Sequence, residues 1–464
     1  MSRRAALAIA AWLVPASGAA ATGLDQACAQ FDQAVAAQVA GGAAPAMQMA
    51  VVQGDKLVCS GAYGLADAGT GRKADSATRF VIGSVSKLFT ALAVMQLRDA
   101  GKLDLDDKVT SRLPWFTLEG DPHPSVTIRE LLLQLGGLPR EPLGASWTER
   151  RMPSRDQLIR DMASEPETVP REGAWKYSNL GYAVLGLVVE AASGERYADY
   201  VTAHILGPLG MTDTVAEPGP ATPGLALGYG APSGGTRSSR DFLAMGGMLP
   251  AAGIASTARD LGRLAAWMLA TDDGPVLSAA SRREMLRAQA VLPDWAVGQG
   301  LGFELHRAGS AARIGHAGRA AGYAAQLQVD PSLGIGVAVL ANADDAHPGR
   351  LVENAFALFG AGILHERATR PVPVADPAWQ RYLGTYVDAD GGESGVAIVD
   401  GRLAWVEPGA AEPARTAIFL DPAGAGRFRF ASGGLMGETA VFETDAAGRV
   451  TGLRAGGTLD RKVK

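Results

Sequence analysis

Two stretches of this chain place a nucleophile and proton-handling groups at spacings that suit acyl-transfer chemistry. The first is Ser84-Val85-Ser86-Lys87, which follows the apolar Phe80-Val81-Ile82-Gly83 and opens a segment of helical spacing. A serine and a lysine three apart share one helical face about a turn apart, so the amine approaches the hydroxyl. Burial lowers a lysine's pKa, and an uncharged amine is a proton acceptor that turns a poor nucleophile into a useful one. Backbone N–H groups at the start of that helix favour the negative charge that develops there. The second is Tyr177-Ser178-Asn179, just ahead of a strongly apolar segment. A phenol beside the nucleophile can pass a proton to a leaving group. The Asn179 amide can donate to a substrate carbonyl and hold the lysine.

A third stretch, His316-Ala317-Gly318, lies where a late strand is expected, with Arg319 after it. A strand edge of small residues lets a substrate lie alongside. Its backbone N–H, with Arg319 as the candidate, then completes an oxyanion hole with that of Ser84. The Gly-x-Ser-x-Gly elbow of other serine hydrolases is absent. Six histidines and two cysteines show no metal-ligand spacing, and no cofactor is implied. Cys28 and Cys59 fit either one bridge or two separately buried thiols.

The elements that must position these groups follow from periodicity. Leu24, Phe31, Val35 and Val39 predict a helix over Leu24 to Ala40. Ala46 to Ala62 predicts two strands turning at Gly54-Asp55. Helices are expected over Ser84 to Ala100 and Asn179 to Ala192, and from Thr257, where Thr257 and Asp260 form a capping pattern. Strands return at Gly302 to His306, Ala312 to His316, Tyr323 to Val329 and Gly334 to Ala341. Strands from both ends and helices between them predict an α+β domain whose antiparallel sheet carries an inserted helical region.

The 464 residues are 47% hydrophobic and 20% charged with a net charge of −5, which fits a folded chain of two or three units. No basic run suggests a nucleic-acid partner. Arg3 and Arg4, the apolar Ala5 to Val14 and the small Ala19-Ala20-Ala21 predict a signal peptide over residues 1–21, hence export to the periplasm or beyond. No later segment approaches the ~20 apolar residues of a membrane span, so no anchor is expected in the mature chain. A hydrolase-type domain over 22–369 and a stiff proline linker over 370–376 are expected. Short alternating runs in 377–464, at Val396 to Val399, Leu403 to Val406, Arg427 to Phe430 and Ala440 to Glu443, predict a small all-β, barrel-like domain.

The three stretches, in this order, resemble the serine β-lactamase and penicillin-binding-protein family. The likeness is to the class C β-lactamase group, with its family VIII carboxylesterases and D-aminopeptidases. It extends over roughly 30–360, including Gly101 to Asp107, Pro208 to Asp213 and Gly253 to Leu261, while Tyr382 to Tyr386 resembles the opening of an appended lipocalin-like domain. The resemblance implies Ser84 as nucleophile, Lys87 and Tyr177 as the acid/base pair, and Asn179, His316, Gly318 and Arg319 as substrate-binding groups. It further implies an acyl-enzyme released by water and a small-molecule or peptide substrate.

Two departures bear on the substrate. His316-Ala317-Gly318 stands where many β-lactamases have Lys-Thr-Gly, so a hydroxyl contact to a substrate carboxylate is missing, with Arg319 as a possible replacement anchor. Leu131 to Pro139 departs from the His-Thr-Ser-Gly form common in the family, a question of local packing more than of catalysis. The leading expectation is an exported hydrolase of an ester or peptide-like amide. The alternatives are a true β-lactamase or a DD-carboxypeptidase or D-aminopeptidase and, from another class, a non-catalytic penicillin sensor or scaffold.

Overall fold

A computed structural model describes residues 23–171, 174–309, 311–369, 374–408 and 417–463. The expected signal peptide and residues 370–373 of the expected linker lie outside these. Contacts divide the chain into two compact units, one ending at Glu366 and the other beginning at Arg367.

The first unit is α+β. Helix α1 (Gly23–Ala40) leads into strands β1 (Ala46–Gln53) and β2 (Lys56–Asp67), which turn at Gly54 with φ +57°. Two-residue β3 (Arg72–Lys73) closes that edge of the sheet. The other edge is β4 (Ala290–Val291), β5 (Val297–Gln299), β6 (Glu304–Ala308) and β7 (Ala311–Ala320), and the centre holds β8 (Tyr323–Asp330) and β9 (Ile335–Ala341). The nine strands run antiparallel in the order β3-β2-β1-β9-β8-β7-β6-β5-β4. The N-terminal hairpin and the late strands thus join along β1 and β9, with Ala50 opposite Ala338.

Every residue of β8 and β9 is buried, because both faces of the sheet are covered. On one face α1 packs with α5 (Pro348–Thr369), where Phe31 meets Phe359 edge-on at 6.3 Å. The other face carries α4 (Ala258–Leu269) and, beyond it, α2 (Ser86–Asp99) and α3 (Asn179–Ser193) in one large core. The Thr257 hydroxyl accepts from the Asp260 N–H at 3.2 Å and caps α4. The Asp260 carboxylate instead accepts from Asp213 N and Thr214 Oγ1, tying the first turn of α4 to a second segment. Cys59 is buried and in side-chain contact with the half-buried Cys28; both are free thiols. Among the described residues, no helix is long and apolar enough to cross a membrane.

The second unit is a closed antiparallel barrel of eight strands, β10 (Gly384–Val387), β11 (Glu393–Val399), β12 (Arg402–Val406), β13 (Ile418–Pro422), β14 (Arg427–Phe430), β15 (Thr439–Thr444), β16 (Val450–Ala455) and β17 (Thr458–Lys462). Its own core is aromatic: Tyr382 stacks on Phe442 at 4.3 Å, and Phe428 meets both rings edge-on.

Candidate active site

Ser84 stands in a single tight turn, Gly83–Val85, immediately before α2, rather than inside the α-helix expected from Ser84 onward. Two glycines let strand β7 press against that turn. A side chain on Gly83, whose φ is +52°, would come within 2.5 Å of the Arg319 backbone nitrogen. One on Gly318 would stand 1.9 Å from the Ile82 carbonyl oxygen and 3.2 Å from the Ser84 nitrogen. The Ser84 and Arg319 backbones are thereby brought side by side.

Lys87 follows one turn later and is fully buried. Its Nζ lies 3.3 Å from Ser84 Oγ, 2.6 Å from Asn179 Oδ1 and 2.9 Å from the Ala251 carbonyl. Burial pushes the amine down to about 7, although Glu141 and Glu304 pull it up. An uncharged amine keeps two hydrogens for the two carbonyl oxygens and turns its lone pair toward Ser84.

The Tyr177 hydroxyl lies beside that of Ser84, and the Tyr177 ring is 4.8 Å from Lys87 Nζ and 5.2 Å from the Arg140 guanidinium. Desolvation holds its hydroxyl well above 10, outweighing the Ser84 hydroxyl and Arg140, so the resting group is a neutral phenol. The Tyr177-Ser178-Asn179 turn is held by the very segment that departs from the family form. Gln134, at φ +62°, accepts the Ser178 N–H on its side chain at 2.7 Å. The Ser178 hydroxyl donates to the Pro139 carbonyl at 2.6 Å, and the Asn179 N–H to the Arg140 carbonyl at 2.7 Å. Ser178 also caps α3 by accepting from Gly181 N at 2.8 Å.

His316 is buried on β7, its ring 6.2 Å from that of Tyr177. Its Nδ1 lies 2.5 Å from the Ala317 carbonyl, and its Nε2 is 3.5 Å from Glu304 Oε1 on β6. Burial lowers the imidazole below its ordinary value against the pull of Glu304. Burial works to raise Glu304, yet His316, His306 and Lys87 outweigh it and keep the carboxylate ionised. The Arg319 guanidinium is occupied: it bonds the Asp344 carbonyl, the Ala346 carbonyl at 3.1 Å and His347 Nδ1 at 3.3 Å.

Ser84, Asn179, Glu141, Trp147, Arg240 and Ala320 are among the residues lining a cavity of about 550 Å³. The structure therefore gathers Ser84, Lys87, Tyr177, Asn179, His316, Gly318 and the Arg319 backbone, all seven positions singled out in the sequence. Glu141, Glu304, Arg140 and the Ala251 carbonyl were missed. Glu304 sits two residues before His306 on a strand, so alternation puts both on one face, a signal that was there to use. Glu141 carried no comparable pattern.

The geometry and the comparisons agree on the class. The Beta-lactamase family model matches residues 31–361, so this chain belongs to the β-lactamase family. Among curated proteins it is similar to penicillin-binding protein 4* of Bacillus subtilis strain 168, 34% identical over 168 residues that cover 35% of this chain and 36% of that one. The chain thus spans little more than a third of such relatives' length. Among solved structures it is similar to SurE, 26% identical over 95% of this chain and 99% of that one with a TM-score of 0.59. It is likewise similar to a D-stereospecific amidohydrolase from Streptomyces sp., 25% identical over 71% of this chain and 98% of that one with a TM-score of 0.58.

Proposed function

We propose that this chain is an exported serine hydrolase that cleaves an ester or peptide-like amide through an acyl-enzyme on Ser84. The observation that carries the reading is a lysine with its amine near 7, 3.3 Å from a serine hydroxyl that opens onto the cavity. Lys87 takes the Ser84 proton as Oγ attacks the substrate carbonyl. The oxyanion is met by the Ser84 and Arg319 N–H groups, which the two glycines allow to converge. The proton then passes through the Tyr177 hydroxyl to the leaving alcohol or amine, and water returns along the same route to release the acid. Tyr177 serves as a neutral relay, since desolvation disfavours its phenolate.

An amide or ester is preferred over a β-lactam or a D-alanine peptide for a structural reason. Ala317 offers no hydroxyl to a substrate carboxylate, and the Arg319 guanidinium, the candidate replacement, is spent on backbone carbonyls. Each lost charge-assisted bond is worth about 1.5–3 kcal/mol, roughly one to two decades in affinity. The likeness to a D-stereospecific amidohydrolase supports amide cleavage.

Intact-mass spectrometry with a fluorophosphonate is the test. One adduct on the wild type and none on Ser84→Ala is expected, with turnover of a short-chain nitrophenyl ester but not of nitrocefin. No adduct under any condition would leave a non-catalytic sensor or scaffold, and fast nitrocefin hydrolysis would make the chain a β-lactamase. N-terminal sequencing of the exported protein tests the leader, with cleavage expected after Ala21.

A further inference from the structure

We propose that Glu141 is a positioning residue of this site, which holds the Asn179 amide with its oxygen toward Lys87 and keeps the lysine poised to exchange a proton with Ser84. The proposal rests on the Ser84 acyl-enzyme reading and deepens it. Glu141 follows the segment that braces the Tyr177-Ser178-Asn179 turn, and it lines the same cavity as Ser84. Its Oε1 accepts from Asn179 Nδ2 at 2.6 Å, and Asn179 Oδ1 in turn accepts from Lys87 Nζ at 2.6 Å. A side-chain amide has two faces of opposite character, and a carboxylate can take only the N–H₂ end. Glu141 therefore decides which end of the amide Lys87 meets. Without it the amide can turn its N–H₂ toward the ammonium, and the lysine loses its shortest partner. The same bond uses one of the two hydrogens that Asn179 could otherwise give to a substrate.

Charge works in the same direction as geometry. Lys87 is faced by Glu141 and Arg140 from the loop after the bracing segment, and by Tyr177, Asn179 and Tyr182 from the α3 side. Glu304 faces it from β6, His316 from β7, and the Ala251 carbonyl from the segment before α4. Of these, Glu141 favours the ammonium most, followed by Glu304, and Arg140 opposes it. Arg140 Nε lies 3.6 Å from Glu141 Oε1, so removing the carboxylate also leaves that guanidinium uncompensated beside Lys87. Both consequences lower the lysine's pKa. The other Glu141 oxygen is buried and has no hydrogen-bond partner among the described residues, so the bond to Asn179 and the ion pair with Arg140 are what fix the carboxylate.

The test is the pH dependence of the second-order rate of acylation by a fluorophosphonate without titratable groups, measured on the full-length protein, on Glu141→Gln and on Glu141→Ala. The wild-type rate rises through an acid limb near 7, where Lys87 loses its proton. In Glu141→Gln that limb moves down by about one pH unit while the plateau stays within about threefold, since the Gln carbonyl still accepts from Asn179. In Glu141→Ala the limb moves down and the plateau falls about tenfold, because the amide is no longer held. A lower plateau with an unmoved limb in both variants marks a merely structural role and overturns the proposal, as does an unchanged profile in Glu141→Ala. A wild type that forms no adduct fails one step earlier, at Ser84, and is recognised as such because the variants are then equally inert.

Discussion

Lys87 is the residue on which the chemistry turns, and its burial destabilises the fold. An amine at about 7 in the native state and near 10.4 in the unfolded chain makes the unfolded state the better proton binder between those values. Stability therefore rises as pH climbs through that window, and the full penalty is felt below 7. Lys87→Met removes the titration. Its stability relative to the parent should improve by on the order of 4 kcal/mol between pH 10 and pH 6. Its ester turnover should fall ~10²–10⁴-fold. Paired denaturant titrations at the two pH values check this, and a stability difference that does not change with pH would contradict a depressed lysine. The Ser84–Lys87 and Tyr177–Asn179 pairs were legible because their spacing carries meaning within a few residues. Glu141 was not, since it acquires its role only by meeting Asn179 across 38 residues; alternation placed Glu304 on a face with His306, but its approach to His316 comes from the pairing of neighbouring strands.

At the scale of elements, the close approach of β7 to the Ser84 turn is what makes a hole for an oxyanion. Gly318→Ala would set a methyl 1.9 Å from a backbone oxygen, where no flexible side chain can yield. The strand has to move away from Ser84. The expected result is a loss of about 100-fold or more in acylation rate with only about 1–3 kcal/mol of destabilisation. Fluorophosphonate labelling alongside urea unfolding separates the two, and near-normal labelling would mean that β7 does not build the oxyanion site. Helices α1, α3 and α4, most of α2, the core strands and the β1–β2 hairpin were readable from apolar spacing and Gly54, whereas α5, the longest of the described helices, was not singled out. Short β3, β4 and β5 were not, because two or three residues hold no period and pair only where the sheet edge is already formed.

For the whole molecule, the second core lies in the barrel, filled by Tyr382, Tyr386, Phe428, Phe430 and Phe442. A barrel of eight strands can hold side chains of its own in its interior; the core of this one is built of stacked and edge-on rings. Phe442→Ala should cost about 3–5 kcal/mol of the barrel's stability, read as a shifted urea transition in the intact chain. A loss below about 1 kcal/mol would show that the aromatic cluster does not hold the barrel together. In the sequence, four of the eight barrel strands stood out by alternation, while β10, β13, β16 and β17 became strands because closure gave each a partner on both sides.

Local order in the chain determined the chemistry on offer: a serine one turn from a lysine, a phenol two residues from an amide, and small residues around a histidine. It also determined most of the long elements, because apolar periods act over a single helix or strand. Which carboxylate orients Asn179, which way the Arg319 side chain turns and how near β7 comes to Ser84 were decided only in three dimensions. Those outcomes depend on distances between segments that the linear order leaves free, and on burial, which no residue has until its neighbours from elsewhere in the chain surround it.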